Sequence, residues 1–425
     1  MLEDRFMNFR NKVICGILIT SLCTVILVGF LKDNSKTPLV ESGTAQLYSA
    51  EKKQPEIGYF TNTIANNKAE LDLAINRISE QYGVKGCSIA VWEHDTIVYS
   101  HSYGVASIRQ MQQNAVKKPA SQSTKYRVAS ISKVVTTMLA MTLQEQGKLS
   151  LDMDIAALVN ENLQNSFYPD DNATIEMLMT HTSGIIDGAG YTRALNMTPF
   201  PSLDVVLQRN NFSGSKPGTA YSYSNFGMGL VAGAVEKLSG KHFYDYARDT
   251  LFEPLGADAA FITDYIKDKD SIAAFSSTDP LSWGSMAELY GQIPLGQMYL
   301  LGQGELYISA DDLARIGIIL SGDGTYEGKR YLKQETLKNI HTPRVYDSVT
   351  NVTRGLAVQI SPDIIEGVTL YGHQGNAYGA ISCLFYDPVT KRGAVFLTNG
   401  ASAKRAESQI YAVNDAIVKQ IWQYL

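Results

Sequence analysis

Tyr126-Arg-Val-Ala-Ser-Ile-Ser-Lys-Val-Val-Thr-Thr-Met-Leu-Ala140 puts a hydroxyl, Ser130, and an amine, Lys133, three residues apart at the start of an apolar helix. Positions i and i+3 share a helix face, so Lys133 can reach across one turn toward the oxygen of Ser130. A free serine hydroxyl is a weak nucleophile, and a neighbouring base is the usual remedy. Apolar surroundings of the kind Val134, Val135, Met138 and Leu139 supply favour a lysine without its proton. The spacing is common by itself: Ser49/Lys52 and Ser213/Lys216 repeat it. The first of these lies in a polar stretch and the second runs into Pro217-Gly218, a turn signal. Only the middle copy opens a long helix, which is expected to run to about Gly147.

Around that helix the chain is that of a folded protein. Of 425 residues, 45% are hydrophobic and 19% charged, enough for one large domain or two ordinary ones. A net charge of −5 gives no basis for nucleic-acid binding. Four cysteines do not make a disulfide framework at this length, and the six histidines are scattered. No metal site and no cofactor are expected.

The first residues read as an address. Val13 to Leu31 carries no charge over 19 residues and follows Arg5, Arg10 and Lys12. About 20 apolar residues span a bilayer, and leading basic residues favour a cytoplasmic N-terminus. Residues 1–31 are therefore expected to be a signal anchor or, if cleaved, a signal peptide. The body would be extracytoplasmic, periplasmic or at the cell surface, with a membrane contact through this segment. Residues 32–66 read as a polar tether.

From Ala69 the apolar spacing predicts a helix to Tyr82, then paired strands at Cys87–Trp92 and Thr96–Ser100. Short helices follow at Ile175–Thr180, Met228–Leu238 (stopped by Gly240) and Asp311–Leu320 (capped by Ser309). Strands return at 356–360, 368–370, 380–386 and 393–398, before a last helix over Arg405–Leu425. This order predicts an α+β fold: an antiparallel sheet from both chain ends, flanked by the first and last helices. The sheet lobe, 67–128 and 346–425, would enclose a mostly helical 129–345, with a site in the cleft between them.

Two further motifs bear on that site. Tyr223-Ser-Asn225 is the sole Tyr-x-Asn of the chain; its phenol can relay a proton and its amide can hold a substrate carbonyl. Read alone it is a turn with an exposed tyrosine. His373-Gln-Gly-Asn376 is expected where one strand turns into the next. Backbone N–H groups of Asn376 and Ser130 would together make an oxyanion hole. Read alone it is a hairpin loop.

Together, Ser130-x-x-Lys133, Tyr223-x-Asn225 and His373-x-Gly375 resemble the ordered motifs of the serine β-lactamases and penicillin-binding DD-peptidases. The likeness is to the branch holding class C β-lactamases, DD-carboxypeptidases, D-aminopeptidases and esterases. Leu178-Met-Thr-His-Thr-Ser-Gly-Ile185, Glu253-Pro-Leu-Gly256 and Gly304-Glu-Leu-Tyr-Ile-Ser-Ala-Asp-Asp-Leu313 fit the same pattern. The resemblance implies an acyl-serine hydrolase, with Ser130 as nucleophile and Lys133 and Tyr223 sharing the proton transfers. It also implies that Asn225, His373, Gln374, Gly375 and Asn376 bind substrate, a peptidoglycan-type D-peptide or an ester. A β-lactamase, or a low-turnover fold used for recognition or assembly, is the alternative. Gln374 departs from the threonine often found there, and Arg354 is the nearest arginine upstream of His373. Both features weigh against a substrate with a free carboxylate and against efficient β-lactam hydrolysis. His181 and Ser183 are expected to be structural. In this family the first strand pairs with the last, so Cys87 and Cys383 are expected as separate buried thiols. No Gly-x-Ser-x-Gly elbow is present, which removes the α/β-hydrolase reading.

Overall fold

The computed structural model describes residues 64–111, 114–160, 163–195, 201–207, 209–274, 286–348 and 350–425. The expected anchor and nearly all of the tether lie outside these residues. Helix α1 spans Ile64–Gln81 and buries Leu71 and Ile75 against the sheet. Strands β1 (Gly86–Glu93), β2 (Thr96–Met111) and β3 (Asn114–Pro119) follow. The sheet resumes 226 residues later with β4 (Val345–Asp347), β5 (Val352–Arg354), β6 (Gln359–Ile365), β7 (Val368–Ala377), β8 (Ala380–Asp387) and β9 (Arg392–Thr398). These nine strands form one sheet in the order β3-β2-β1-β9-β8-β7-β6-β5-β4. The first strand pairs antiparallel with the last, Cys87 facing Thr398. Cys383 lies on β8, one strand further on, and both thiols are free and buried.

The inner strands β1, β8 and β9 are buried nearly throughout, because both sheet faces are covered. On one face lie α1 and the last helix, α5 (Ala412–Trp422), with Ile417, Val418 and Ile421 buried. On the other lies α4 (Ala310–Ser321), where the Ser309 hydroxyl accepts the Asp312 N–H as an N-cap. Trp92 locks α4 to the sheet. Its ring fills space that a side chain at either Gly317 or Gly393 would occupy, 2.3 and 2.1 Å from the missing Cβ. Its indole N–H donates to Ser321 Oγ at 3.0 Å. Truncating so enclosed a ring costs about 3–5 kcal/mol.

Between β3 and β4 the chain is mostly helical. Helix α2 (Ser132–Glu145) is buried over most of its length. It packs against α3 (Asn225–Ser239), which Ser224 caps and a left-handed Gly240 closes. Three expectations change, the first being that the strand expected at 356–360 begins at Gln359. The last helix begins at Ala412 rather than Arg405. Residues 373–376 do not form a turn but continue β7, and the turn falls at Tyr378-Gly379. Gly375 marks a close approach instead: Val128 O lies 2.3 Å from where its Cβ would be.

Candidate active site

Ser130 sits in a 3-10 turn, Ala129–Ile131, that leads directly into α2. Ala129 is held at φ +48°, a left-handed conformation costing a non-glycine residue on the order of 1–3 kcal/mol. That kink sits at the crowded junction with Gly375. Ser130 is partly exposed, whereas Lys133, one turn on, is wholly buried.

Three oxygens surround the Lys133 amine: Ser130 Oγ at 3.0 Å, Asn225 Oδ1 at 2.8 Å and the Gln303 carbonyl at 2.7 Å. The last two can only accept, so two N–H bonds are directed at them. The remaining position faces Ser130, carrying a proton in the ammonium and a lone pair in the amine. The arrangement therefore suits Lys133 both as donor to Ser130 and as its base. Tyr223 OH lies 2.8 Å from Ser130 Oγ on another side, with the Lys133 Nζ 5.0 Å from its ring centre. Alcohol, amine and phenol thus meet at one oxygen.

His181 holds the Tyr223 loop in place. Its Nδ1 accepts the Ser224 N–H at 3.2 Å, its carbonyl accepts the Ser222 N–H at 2.8 Å, and its ring packs 4.4 Å from that of Tyr223. Burial drives this imidazole well below its ordinary pKa, and Lys133, Arg354 and His373 add to the effect. Ser183 Oγ accepts the Ile185 N–H at 3.2 Å. His181 thus braces the Tyr223 loop, and Ser183 braces its own turn.

β7 supplies the opposite wall. Its pairing with β6 reaches Gly372 and goes no further, so the edge from His373 onward has no β6 residue beside it. His373 is buried, 6.4 Å from Tyr223 between ring centres. Its Nδ1 lies 2.6 Å from the Gln374 carbonyl, which can only accept, so Nδ1 carries the ring proton. Burial, with repulsion from Arg354 and Lys133, pushes its pKa down to about 3. At neutral pH the ring is uncharged.

Gln374 and Asn376 do not join the site through their side chains. Successive strand residues point to opposite faces, and both lie on the face away from His373. Gln374 Oε1 accepts from Tyr411 N and Asn414 Nδ2 at 2.8 and 3.2 Å; Asn376 Nδ2 donates to Tyr411 OH at 2.7 Å. Only the backbone of Asn376 remains for substrate.

Residues that sequence reading missed complete the shell. Asp187 Oδ2 accepts Asn225 Nδ2 at 2.7 Å, while its Oδ1 accepts the Phe226 N–H at 2.8 Å and the Ser224 hydroxyl at 3.2 Å. Burial pushes its carboxyl up, against the pull of these bonds and of Lys133. Gln303, whose carbonyl faces Lys133, is anchored by Tyr191 OH. Its loop is stitched to α2 through Thr136 Oγ1 to Gly302 O at 2.7 Å and Leu306 N to Ser132 Oγ at 3.1 Å. Two nearby cations have partners. Arg354 pairs with Asp347 at 3.1 Å and lies over the Tyr221 ring. Arg127 pairs with Glu305 and lies over the Tyr378 ring. Among the described residues no group of His, Cys, Asp and Glu is placed to hold a metal ion.

Known proteins share this framework. A penicillin-binding protein of Bacillus subtilis (strain 168) is 28% identical over 197 residues, 45% of this chain and 41% of that protein; the match therefore spans well under half of the relative. Among solved structures, EstCE1, a hydrolase with promiscuous acyltransferase activity, superposes with a TM-score of 0.65 at 21% identity, covering 84% of this chain and 99% of that one. A class C beta-lactamase gives 0.63 at 19% identity over 85% and 96%. The D-alanine carboxypeptidase AmpC from Burkholderia cenocepacia gives 0.61 at 20% over 84% and 100%. These structural likenesses are of fold. The sequence itself matches the family described as Beta-lactamase over residues 71–417, and with that match, on this fold, the chain belongs to the Beta-lactamase family of serine hydrolases.

Proposed function

We propose that the protein is an extracytoplasmic serine hydrolase that works through an acyl-serine intermediate on esters or D-amino-acid peptides. The observation that carries this reading is the convergence of Tyr223 OH and Lys133 Nζ on Ser130 Oγ, at 2.8 and 3.0 Å. Ser130 Oγ attacks the substrate carbonyl while its proton passes to Lys133 or Tyr223. The backbone N–H groups of Ser130 and Asn376 receive the developing oxyanion. Asn225 and the open edge of β7 seat the acyl group. The leaving group departs with a proton from Tyr223, and a water then hydrolyses the Ser130 ester by the reverse transfers.

The charges around Ser130 favour an uncharged leaving group. Lys133 is enclosed by three acceptors, Arg354 and Arg127 are paired with carboxylates, and His373 is neutral. A substrate carboxylate beside the scissile bond would find no unpaired cation among these residues. Esters and amides are therefore preferred over peptides ending in a free D-alanine, and a β-lactam, with its carboxylate, is the poorer substrate. The membrane-side placement rests on the uncharged run Val13–Leu31 behind Arg5, Arg10 and Lys12. Assays of p-nitrophenyl butyrate, a D-alanine amide, a D-Ala-D-Ala peptide and nitrocefin, each against Ser130→Ala, test the reading. Turnover of the ester or amide is expected to exceed the other two and to vanish in the variant. Turnover confined to nitrocefin or to the free-acid peptide would reverse the preference, and turnover that survives Ser130→Ala would end the acyl-serine reading.

A further inference from the structure

The Asn225 amide has two ends of similar shape and opposite chemistry, and only one orientation serves Lys133. With Oδ1 toward the amine it accepts a hydrogen bond at 2.8 Å. Reversed, it would aim N–H donors at an ammonium. An amine that has given up its proton could turn its lone pair toward the reversed amide, so Lys133 alone fixes the orientation only while it is charged. What sets the orientation lies on the other side, where Nδ2 meets Asp187 Oδ2 at 2.7 Å. A carboxylate only accepts, so the reversed amide would face oxygen against oxygen there and donor against donor at Lys133. Asp187 is itself fixed: its second oxygen takes the Phe226 N–H and the Ser224 hydroxyl, and the adjoining Ile186 N–H bonds to Asn211 O at 2.9 Å.

We propose that Asp187 is a positioning residue of the acylation machinery, holding the Asn225 amide so that its oxygen keeps the Lys133 amine beside Ser130. Its carboxylate bonds to Asn225, Ser224 and Phe226, and it acts on Lys133 through Asn225. This role rests on the acyl-serine reading above.

Asp187→Asn tests it at nearly constant shape. An asparagine at 187 presents its oxygen either to Asn225 or to Phe226 N–H, and its NH2 meets a donor at the other. Loss of a charge-assisted hydrogen bond of this kind corresponds to about a 10- to 100-fold fall in rate. The expected result is a fall of that size in the pre-steady-state acylation rate with p-nitrophenyl butyrate. The discriminating readout is a double-mutant cycle with Asn225→Ala. In that background Asp187→Asn is expected to cost less than about twofold, since the amide it orients is gone. Equal losses in both backgrounds, or a wild-type rate in Asp187→Asn, would overturn the positioning role. If Asp187→Asn does not fold, Asp187→Ser removes the carboxylate, keeps an acceptor and enters the same cycle. Ser130→Ala, run alongside, separates the failures. An inert Ser130→Ala with an unimpaired Asp187→Asn rejects only the positioning role, whereas an active Ser130→Ala rejects the acyl-serine reading and this role with it.

Discussion

Replacing Gly375 by alanine adds one methyl group at the point where β7 passes the nucleophile turn. The new Cβ would lie 2.3 Å from Val128 O and 3.4 Å from Ala129 Cβ. Both neighbours are near-rigid: the first is backbone, and the second belongs to a residue already at φ +48°. Restoring even a tight contact of 3.0 Å needs about 0.7 Å of movement, which either β7 or the 128–130 segment must supply. Overpacking of this kind costs typically 1–3 kcal/mol of stability. The effect on catalysis is larger, because a misplacement of about 1 Å can cost on the order of 100-fold, and here the displaced parts are Ser130 and the strand that would carry its oxyanion donor. The assay is kcat/KM for p-nitrophenyl butyrate together with thermal unfolding. The expected outcome is a fall of roughly 30- to 100-fold with a Tm lowered by only a few degrees. Activity within about twofold of wild type would refute the argument, because it would mean that the strand and the turn are not in contact on the scale described.

Two further perturbations test the buried amine of the site and a buried imidazole beside the sheet. Lys133→Met preserves apolar volume but leaves Asn225 Oδ1 and Gln303 O without their donor; acylation is expected to fall by about 10²- to 10⁴-fold with a measurable loss of Tm, and fluorophosphonate labelling at the wild-type rate would contradict it. His341 is held neutral by burial, which lowers its pKa to about 4, and its Nε2 lies 2.9 Å from Tyr386 OH. A histidine depressed in the folded state takes up protons mainly when unfolded, so its contribution is complete above about pH 6.5 and declines as the pH falls toward 4. The difference in stability between wild type and His341→Gln is expected to shrink by up to about 3 kcal/mol across that window, read from urea unfolding at pH 7 and pH 4; a constant difference would show that the imidazole is not buried neutral.

The parts of the site legible in sequence are those whose geometry is local. Ser130 and Lys133 meet because helical spacing brings i and i+3 together, and Tyr223 and Asn225 are neighbours placed by one helix start. Asp187 and Gln303 are single loop residues just outside the stretches 178–185 and 304–313, and no periodicity or spacing marks them. Residues 373–376 are expected where one strand turns into the next, and the structure keeps them in β7 up to the turn, with Gly375 passing close to Val128, about 250 residues away and invisible to any local pattern. The strand period of two carried a usable signal: His373 and Gln374 cannot both face the cleft, and the structure turns Gln374 and Asn376 toward α5. The sheet was legible because its inner strands are continuous β-rich apolar runs at both chain ends, whereas the loops around 356 and 405 lack such a pattern, and there the element boundaries moved.

The central claim is that Ser130 is the atom that carries the acyl group. Intact-protein and peptide mass spectrometry of the enzyme, acid-quenched during turnover of p-nitrophenyl butyrate, tests it directly. A butyryl adduct on the peptide containing Ser130, absent from Ser130→Ala, is the predicted result. An adduct on another residue, or steady turnover by Ser130→Ala, would contradict it.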